Sequence, residues 1–545
     1  MNGKTTGCLW GMIILILGIL SCGDEVSNGK NGVFHYNEIT GIASLDPAFA
    51  KNQSVMWPVH QLFNTLVQTD DSLHLVPSLA RSWDISPDRT VYTFHLRNDV
   101  FFHDDDCFAG GKGRRMLASD VVYSLNRIQD PLVASPGAWI FNNKVAKDRP
   151  FTAIDDTTFV LRLINPYNPV LGILSMQYCS VVAPEAVIKY GVGFRRHPVG
   201  TGPFRFVAWE EGQALVMGRN DHYFETDKTG RSLPYLKGIK VSFFDSKATE
   251  FLLFRQGKLD FINEIESSFK DEVLNKQGEL RKEWENKIVL QLGPYLNTEY
   301  LGILVDTNNI LVKNSPLKIR KIRQAINYGF DRRKMILYLR NSLGTAAESG
   351  FVPAGLPSFD STMVKGYHYD PAMSRRLLAE AGFPNGAGLP PIKLTTVAIY
   401  ADMGDFIAKQ LGEIGIPVQV ETVQKSLLLQ MTANSTALFF RGSWIADYPD
   451  AENYLSVFYS KNPAPPNYTR YKNPQFDELF ERALRETNDS LRYRLYQQAD
   501  QVMMEDAPVV PVWYDKVIRL VQPGVTGFRP NGLNLLELRN TSLEY

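Results

Sequence analysis

The stretch Pro198-Val-Gly-Thr-Gly-Pro203-Phe-Arg-Phe206 is the most distinctive segment of this 545-residue chain. Gly200 and Gly202 give the backbone freedom to turn, and the ring of Pro203 fixes one dihedral angle immediately after them. This combination predicts a tight turn that returns the chain to a β-sheet. We therefore expect strands or helices directly before and after this turn.

Length and composition limit the architecture. A chain of 545 residues is too long for one ordinary hydrophobic core, so we expect two or three domains. Hydrophobic residues make up 44% and charged residues 21% of the sequence, which is typical of a globular protein. The formal net charge is zero, so the charge balance gives no reason to expect a nucleic-acid partner.

The first 31 residues have the pattern of an export and anchoring signal. Lys4 precedes an apolar run, residues 8–20, that is too short to span a bilayer but suits the core of a signal peptide. The run ends in Ile19-Leu-Ser-Cys22, which resembles a bacterial lipobox. We therefore predict a signal peptide over 1–21, lipidation of Cys22 and a flexible tether over 22–31. The alternative is a secretory signal in which this cysteine is incidental.

Two further cysteines would remain in the mature protein. Cys8 leaves with the signal peptide, which leaves Cys107 and Cys179 in an oxidising compartment. A disulfide between them is plausible there. The sequence does not show whether the two residues are close in space.

Periodic patterns predict alternating strands and helices. The run Val91–Arg97 alternates at period two and predicts a strand, and Ser119-Asp120 offers N-cap chemistry for a helix through Asn126. Apolar residues at helical spacing predict one helix over 320–332. Predicted strands at 394–397 and 418–420 enclose another helix, so we expect an α/β domain.

A polar cluster, Arg441-Gly-Ser-Trp444-Ile-Ala-Asp447-Tyr448-Pro449-Asp450, directly follows an apolar run that reads as a buried strand. Binding residues are often found where a rigid strand ends and a loop begins. Asp447 could take a cationic group and Arg441 an anionic one, with Trp444 as a flat apolar wall. The alternative for the same residues is a buried ion pair and a core tryptophan.

A series of motifs resembles the bacterial extracellular solute-binding proteins of family five, which include the oligopeptide, dipeptide and nickel receptors of ABC importers. Each motif alone is weak, but the motifs follow the family's order over essentially the whole mature chain, and the Pro198–Phe206 stretch is the most recognisable. The motifs are Leu45-Asp46-Pro47, Pro77-Ser-Leu-Ala-Arg-Ser-Trp83, Tyr92-Thr-Phe-His-Leu-Arg97, Ser119-Asp120-Val-Val-Tyr-Ser124, Pro198–Phe206, Arg219-Asn220-Asp-His-Tyr223-Phe, Gln256-Gly257-Lys-Leu-Asp260-Phe261, residues 320–332 and Tyr369-Asp370-Pro371.

The resemblance implies an α/β fold of the periplasmic-binding-protein type, with two lobes, two crossing segments and an added subdomain. Lobe I would comprise residues 32–293 and 518–545, with the subdomain inserted at about 67–197. Lobe II would comprise residues 294–517. The crossings should fall near Gly293-Pro294-Tyr295 and Val512 to Arg519, and the lobes should close on ligand by a hinge motion.

The resemblance also implies roles for the polar cluster. Asp447 stands where peptide-binding relatives pair an acid with the ligand's α-ammonium, and Trp444 aligns with their pocket tryptophan. Arg441 aligns with an arginine that in some relatives helps to hold the peptide's carboxylate. Tyr448 is a further candidate ligand-binding residue, although its first role would be to support the turn. An unpaired buried charge is costly, so an enclosed ammonium needs such a carboxylate.

These expectations describe the substrate-binding component of an ABC importer that captures short peptides. Its partners would be a membrane permease with its ATPase and, through the anchor, the membrane; we expect a monomer in the bacterial cell envelope, with no nucleic acid, cofactor or metal site. A nickel-chelate or haem receptor of the same family is the first alternative, although the eight histidines show no tight ligand spacing. An exported hydrolase is disfavoured because the chain contains no G-x-S-x-G, H-E-x-x-H or C-x-x-C motif. A signalling lipoprotein with this fold would have the same sequence pattern.

Overall fold

The computed structural model of the protein describes residues 32–545. The predicted signal peptide, the lipidation site Cys22 and the tether lie outside the described residues. No helix within the described range combines the length and apolar character needed to cross a membrane.

Strands and helices alternate along the described chain. The strands are β1 (Val33–Asn37), β2 (Val67–Thr69), β3 (Leu75–Pro77), β4 (Ala80–Ile85), β5 (Val91–Leu96), β6 (Phe151–Asp155), β7 (Thr158–Arg162), β8 (Phe204–Glu210), β9 (Ala214–Arg219), β10 (Gly238–Ser242), β11 (Phe261–Asn263), β12 (Val289–Ile303), β13 (Thr345–Ala346), β14 (Ile392–Thr396), β15 (Val418–Thr422), β16 (Phe439–Ile445), β17 (Val509–Val521), β18 (Val525–Thr526) and β19 (Ser542–Leu543). The helices are α1 (Gln53–Leu62), α2 (Ala118–Gln129), α3 (Val170–Leu174), α4 (Pro184–Tyr190), α5 (Lys247–Arg255), α6 (Ser267–Val273), α7 (Ile310–Lys313), α8 (Arg320–Tyr328), α9 (Arg332–Arg340), α10 (Pro371–Glu380), α11 (Ala401–Glu413), α12 (Lys425–Ala433), α13 (Ala451–Leu455), α14 (Pro474–Arg485) and α15 (Asp489–Asp506).

Three larger sheets organise the described residues. One has the strand order β1-β10-β9-β8, and a second has the order β4-β5-β7-β6. The third has the order β11-β17-β12-β16-β14-β15, with β13 paired to β17. In this third sheet β14 runs parallel to β15 and β16, whereas β12 and β17 are antiparallel. The result is a mixed α/β protein, as the sequence predicts.

Two long strands connect the two halves of the molecule. Strand β12 has 15 residues and β17 has 13, and they pair from Val289↔Val521 to Gly302↔Val509. The register shifts between Pro294 and Thr298. Both predicted crossing segments lie within this strand pair.

The hydrophobic cores separate in the same way. One core collects buried side chains from residues 34–261 and 521–538, together with Tyr448. Two further cores lie almost entirely between residues 296 and 513. The protein therefore has two lobes, and a smaller core that includes Ile518 and Leu520 of β17 packs beside the crossing strands.

The turn predicted at Gly200 and Gly202 is confirmed, and the structure explains both glycines. The amide of Gly202 donates to the carbonyl of Leu62 at the end of α1, with an N–O distance of 3.0 Å. A Cβ at Gly200 would lie 2.1 Å from the same oxygen. This close approach excludes any side chain, and strand β8 begins directly after the turn.

Two helix predictions need correction. Helix α2 begins at Ala118, with Leu117 as the N-cap, so Asp120 lies in the first turn; its carboxylate accepts the backbone N–H of Leu117 at 2.8 Å. The single helix predicted over 320–332 is two helices, because α8 ends at Tyr328 and Asp331 caps the start of α9 by accepting the amide of Lys334.

The disulfide considered for Cys107 and Cys179 is not formed, and both residues are free thiols. Cys179 is 2% exposed within the apolar core of the first lobe. Cys107 is partly exposed, and its amide donates to Asp105 at 2.8 Å. Burial, with the nearby Asp105, raises the pKa of the Cys107 thiol to about 12.

Candidate ligand-binding cleft

A cavity of about 870 Å³ lies between two segments from different lobes. Residues 139–167 form one wall and residues 444–485 form the other. This volume falls within the range of pockets that enclose small ligands. The lining residues are Trp139, Asn142, Asn143, Lys144, Asn165, Pro166, Tyr167, Trp444, Asp447, Tyr448, Glu452, Asn453, Ser456, Tyr459, Lys461, Asn462, Pro465, Pro466, Phe480, Glu481, Leu484 and Arg485.

Asp447 places a carboxylate in this cavity directly after strand β16. The side chain is open to the cavity, but protein surrounds it on the other sides, and this desolvation raises its pKa. The amide of Asn453 opposes the shift by donating to Asp447 Oδ2 at 3.3 Å. Among residues 32–545, Asp447 forms no ion pair. A cationic group in the cavity would therefore find an acceptor that no protein cation already neutralises.

Asn453 organises this part of the cavity, and sequence reasoning missed it. Its Oδ1 accepts the indole N–H of Trp444 at 3.0 Å and the backbone N–H of Asp447 at 3.2 Å. Asn453 is 3% exposed and lies on helix α13, which Asp450 caps by accepting the amide of Glu452. One amide side chain thus fixes two of the predicted ligand contacts, Trp444 and Asp447. The only sequence signal was the N-cap pattern of Asp450 before a short helix.

Tyr448 connects the two walls. Its ring is buried in the core of the first lobe although it belongs to the segment of the second lobe. Its hydroxyl donates to the buried carboxylate of Glu452, and the hydroxyl of Tyr167 lies 3.2 Å from the hydroxyl of Tyr448. Tyr448 therefore lines the cavity and contacts both of its walls.

Lys144 and Glu452 add two charges that the sequence did not single out. Desolvation lowers the pKa of the Lys144 ammonium, and the field of Glu452 opposes this shift. Desolvation raises the pKa of the buried Glu452 carboxyl, and Lys144 opposes that shift in turn. The two groups influence each other through space and are not an ion pair. The ammonium of Lys144 lies over the rings of Trp139 and Tyr167, at 5.8 and 5.4 Å from their centroids.

Arg441 does not line this cavity. Its guanidinium makes a two-point contact with the carboxylate of Glu299, whose side chain is 1% exposed. Its Cζ also lies 3.8 Å from the ring centroid of Tyr400. The structure therefore brings Asp447, Trp444 and Tyr448 together at the cavity and places Arg441 in a structural pair.

The smaller cavities of the described residues offer less to a ligand. A void of about 10 Å³ beside Asp500 has room for a single water. Cavities of about 470 and 590 Å³ share Arg539 as a lining residue, but Arg539 is already paired with Glu225 and Glu537. Within residues 32–545 there is no group of three or more His, Cys, Asp or Glu side chains that could hold a metal ion.

Known proteins are similar to this chain over nearly its full length. Heme-binding protein A of Haemophilus influenzae is 27% identical over 527 residues, which cover 92% of this chain and 91% of the relative. The glutathione-binding protein GsiB of Pectobacterium atrosepticum is 27% identical over 503 residues and covers 89% of each chain. The periplasmic binding protein DppA of Helicobacter pylori, solved in complex with the peptide STSA, superposes with a TM-score of 0.73 at 25% identity and covers 95% of this chain and all of its own.

The family itself is shown by a family model that matches more than half of the chain. The model described as "Bacterial extracellular solute-binding proteins, family 5 Middle" matches residues 74–466, which is more than half of the chain. Proteins of this family bind solutes for transport and are not enzymes. The match covers the four-stranded sheet β4-β5-β7-β6, the whole of strand β12 and the part of the 444–485 wall that contains Asp447. The chain therefore belongs to the bacterial extracellular solute-binding proteins of family 5.

Proposed function

We propose that this solute-binding protein captures short peptides by their free amino terminus, with Asp447 as the ammonium anchor. The observation that carries this proposal is the carboxylate of Asp447, which faces an 870 Å³ cavity and lacks a protein cation within residues 32–545. Trp444 would form the flat wall beside it. Main-chain groups would hold the peptide backbone, which gives affinity with little side-chain selectivity.

The similar proteins support a peptide-sized ligand with a free amine. One was solved with the tetrapeptide STSA, and another is named for binding glutathione, a small peptide. A third is named for binding haem, so haem is the alternative outcome of the test below. Nickel chelates stay a further alternative, since a chelate brings its own ligands and needs no protein-built metal site.

The lobe arrangement supports delivery by closure. We assign residues 32–293 and 518–545 to lobe I, with the inserted subdomain at about 67–197, and residues 294–517 to lobe II. Ligand would enter an open cleft, and bending of β12 and β17 would close it. The closed form would then be presented to an ABC permease and its ATPase in the membrane.

The test begins with the ligand that the protein carries. Native mass spectrometry of protein purified from cells, followed by calorimetry with di- to pentapeptides, should detect peptide binding. Asp447→Asn keeps the shape of the side chain and removes its charge, so affinity for a free-amine peptide should fall roughly 10- to 100-fold. N-acetylation of the peptide should weaken binding to the wild type by a similar factor and have little effect on the variant. Binding of haem or a metal chelate without any peptide would overturn the proposal.

The anchor is a separate proposal, supported by the lipobox-like Ile19-Leu-Ser-Cys22. Lipidation of Cys22 with two or three acyl chains would hold the protein stably at the membrane. The Cys22→Ser variant should then move from the membrane fraction to the soluble fraction. A variant that stays with the membrane would refute the lipid anchor and leave the peptide proposal untouched.

A further inference from the structure

We infer that Lys144 binds the carboxylate of the ligand, from the wall opposite Asp447. The inference rests on the proposed function, in which Asp447 holds the ligand's ammonium. It defines the ligand as a zwitterion with a free amine and a free carboxylate. It also moves the carboxylate role from Arg441 to a residue on the other lobe.

Three cationic side chains line the cavity, and two of them share one acidic partner. Lys461 and Arg485 both pair with Glu481, and their side chains are 67% and 65% exposed. Glu481 also accepts the hydroxyl of Tyr459. Because solvent screens exposed pairs, these two residues add little to the binding of an anion. Arg441 is excluded by its pair with Glu299.

Lys144 differs from these residues in both partner and surroundings. Within residues 32–545 its ammonium makes no hydrogen bond and no ion pair, and its neighbours are the faces of two aromatic rings. The acid whose field acts on it is Glu452, and the carboxylate of Glu452 already accepts the hydroxyl of Tyr448. Desolvation lowers the pKa of Lys144, so its charged form gains more from an incoming carboxylate than an exposed lysine would.

The position of Lys144 adds a consequence for closure. Lys144 belongs to the 139–167 wall, and Asp447 belongs to the 444–485 wall. A ligand held by its ammonium on one wall and its carboxylate on the other makes both contacts only when the walls are close. Both charge pairs then favour the closed form, because a ligand shifts a conformational equilibrium only by its different affinity for the two states. The distance between the two anchors would set the preferred length of the peptide.

The test compares one peptide with its C-terminal amide. The probe is the tightest-binding member of a di- to pentapeptide panel, titrated by calorimetry into wild type, Lys144→Met and Lys144→Arg. The wild type should prefer the free carboxylate over the amide roughly 10- to 100-fold, and Lys144→Met should bind both forms about equally. Lys144→Arg should restore part of the preference. Lys147→Met is the matched control, because Lys147 is exposed, lies three residues along the same segment and does not line the cavity.

The outcomes separate this inference from the proposed function. If Lys144→Met keeps the wild-type preference for the free carboxylate while Asp447→Asn loses the preference for the free amine, the inference about Lys144 is wrong and the amine anchor stands. If the wild type binds no peptide of the panel, both fall. Far-ultraviolet circular dichroism of Lys144→Met should match the wild type, and a misfolded Lys144→Met moves the decision to Lys144→Gln.

Discussion

Arg441 and Glu299 form a two-point ion pair between the adjacent strands β16 and β12. Nη2 of Arg441 donates to Oε2 of Glu299 at 2.7 Å, and Nε donates to Oε1. The strands are in register at Arg441↔Leu301, so the two residues are diagonal neighbours. Burial raises the pKa of Glu299, and the guanidinium opposes the shift. The positive charge of Arg441 therefore offsets part of the free-energy cost of burying the Glu299 carboxylate.

Removing Arg441 should destabilise the protein, because it leaves a buried carboxylate without its cation. We expect Arg441→Met to lower the free energy of unfolding by about 3–5 kcal/mol at neutral pH. Without the guanidinium the folded-state pKa of Glu299 moves further above its usual value. A carboxyl with a raised pKa favours the folded state fully only below its unfolded pKa, and this stabilisation is lost as the pH rises. The difference in the free energy of unfolding between wild type and Arg441→Met should therefore be larger at pH 8 than at pH 5. Urea unfolding of both proteins at pH 5 and pH 8 measures this difference.

The double variant Arg441→Met with Glu299→Gln is the control. It removes both charges and should recover much of the lost stability, since replacing a whole buried pair is far less costly than breaking it. Peptide affinity per folded molecule should change little in either variant. An Arg441→Met protein with wild-type stability and a lost preference for free-carboxylate peptides would return Arg441 to the binding site.

This pair marks what local sequence could and could not predict. The strand before the cluster, the position of Asp447 at its end and the nearness of Trp444 follow from a few consecutive residues. The fold follows from an ordered series of motifs. Arg441, in contrast, could have been a ligand contact or part of a buried ion pair. The partner that distinguishes the two is Glu299, which is 142 residues away in the chain.

The second wall of the cavity was hidden for the same reason. Lys144 and Tyr167 lie in a segment without any motif, and the structure places them beside Tyr448, which packs into the first core. The predicted 320–332 helix is divided by a local interaction, because Asp331 caps the start of α9. Sequence patterns thus predict elements better than they predict which side chains from distant elements meet.

The buried Asp500 makes Gly350 intolerant of a side chain. Asp500 accepts the amides of Phe351 and Val352, and a Cβ at Gly350 would lie 2.0 Å from Oδ2 of Asp500. Gly350→Ala should therefore lower the free energy of unfolding by about 1–3 kcal/mol through overpacking alone. Lost hydrogen bonds to Asp500 would add to this value. Thermal and urea unfolding of the two proteins give the measurement.

Gly412→Ala is the matched control for Gly350→Ala. Gly412 is an exposed residue of helix α11, and a Cβ there meets nothing within 4 Å. Because alanine favours helix over glycine, this variant should gain up to about 1 kcal/mol. If Gly350→Ala proved as stable as the wild type, the packing around Asp500 would have to be looser than the structure shows.

Tyr167 should contribute to ligand affinity through closure. Its hydroxyl lies 3.2 Å from that of Tyr448, and the two residues belong to opposite walls. Tyr167→Phe removes this contact and keeps the ring over Lys144, so affinity should fall roughly 2- to 10-fold for every peptide. Free and amidated peptides should be affected equally, which calorimetry can test. A selective loss for one form would mean that Tyr167 contacts the peptide terminus directly.

Peptide affinity should depend on pH through Asp447. In the ligand-free protein, desolvation raises the pKa of Asp447, and a bound ammonium would lower it again. Binding then releases a proton, so affinity should fall as the pH is lowered from neutrality through the raised pKa of the free carboxyl. Calorimetry in buffers of different ionisation enthalpy measures both quantities. The Asp447→Asn variant should bind weakly at pH 7 and lose this dependence; if it kept the wild-type dependence, the titrating group would be Glu452, the other acid of the cavity with a raised pKa.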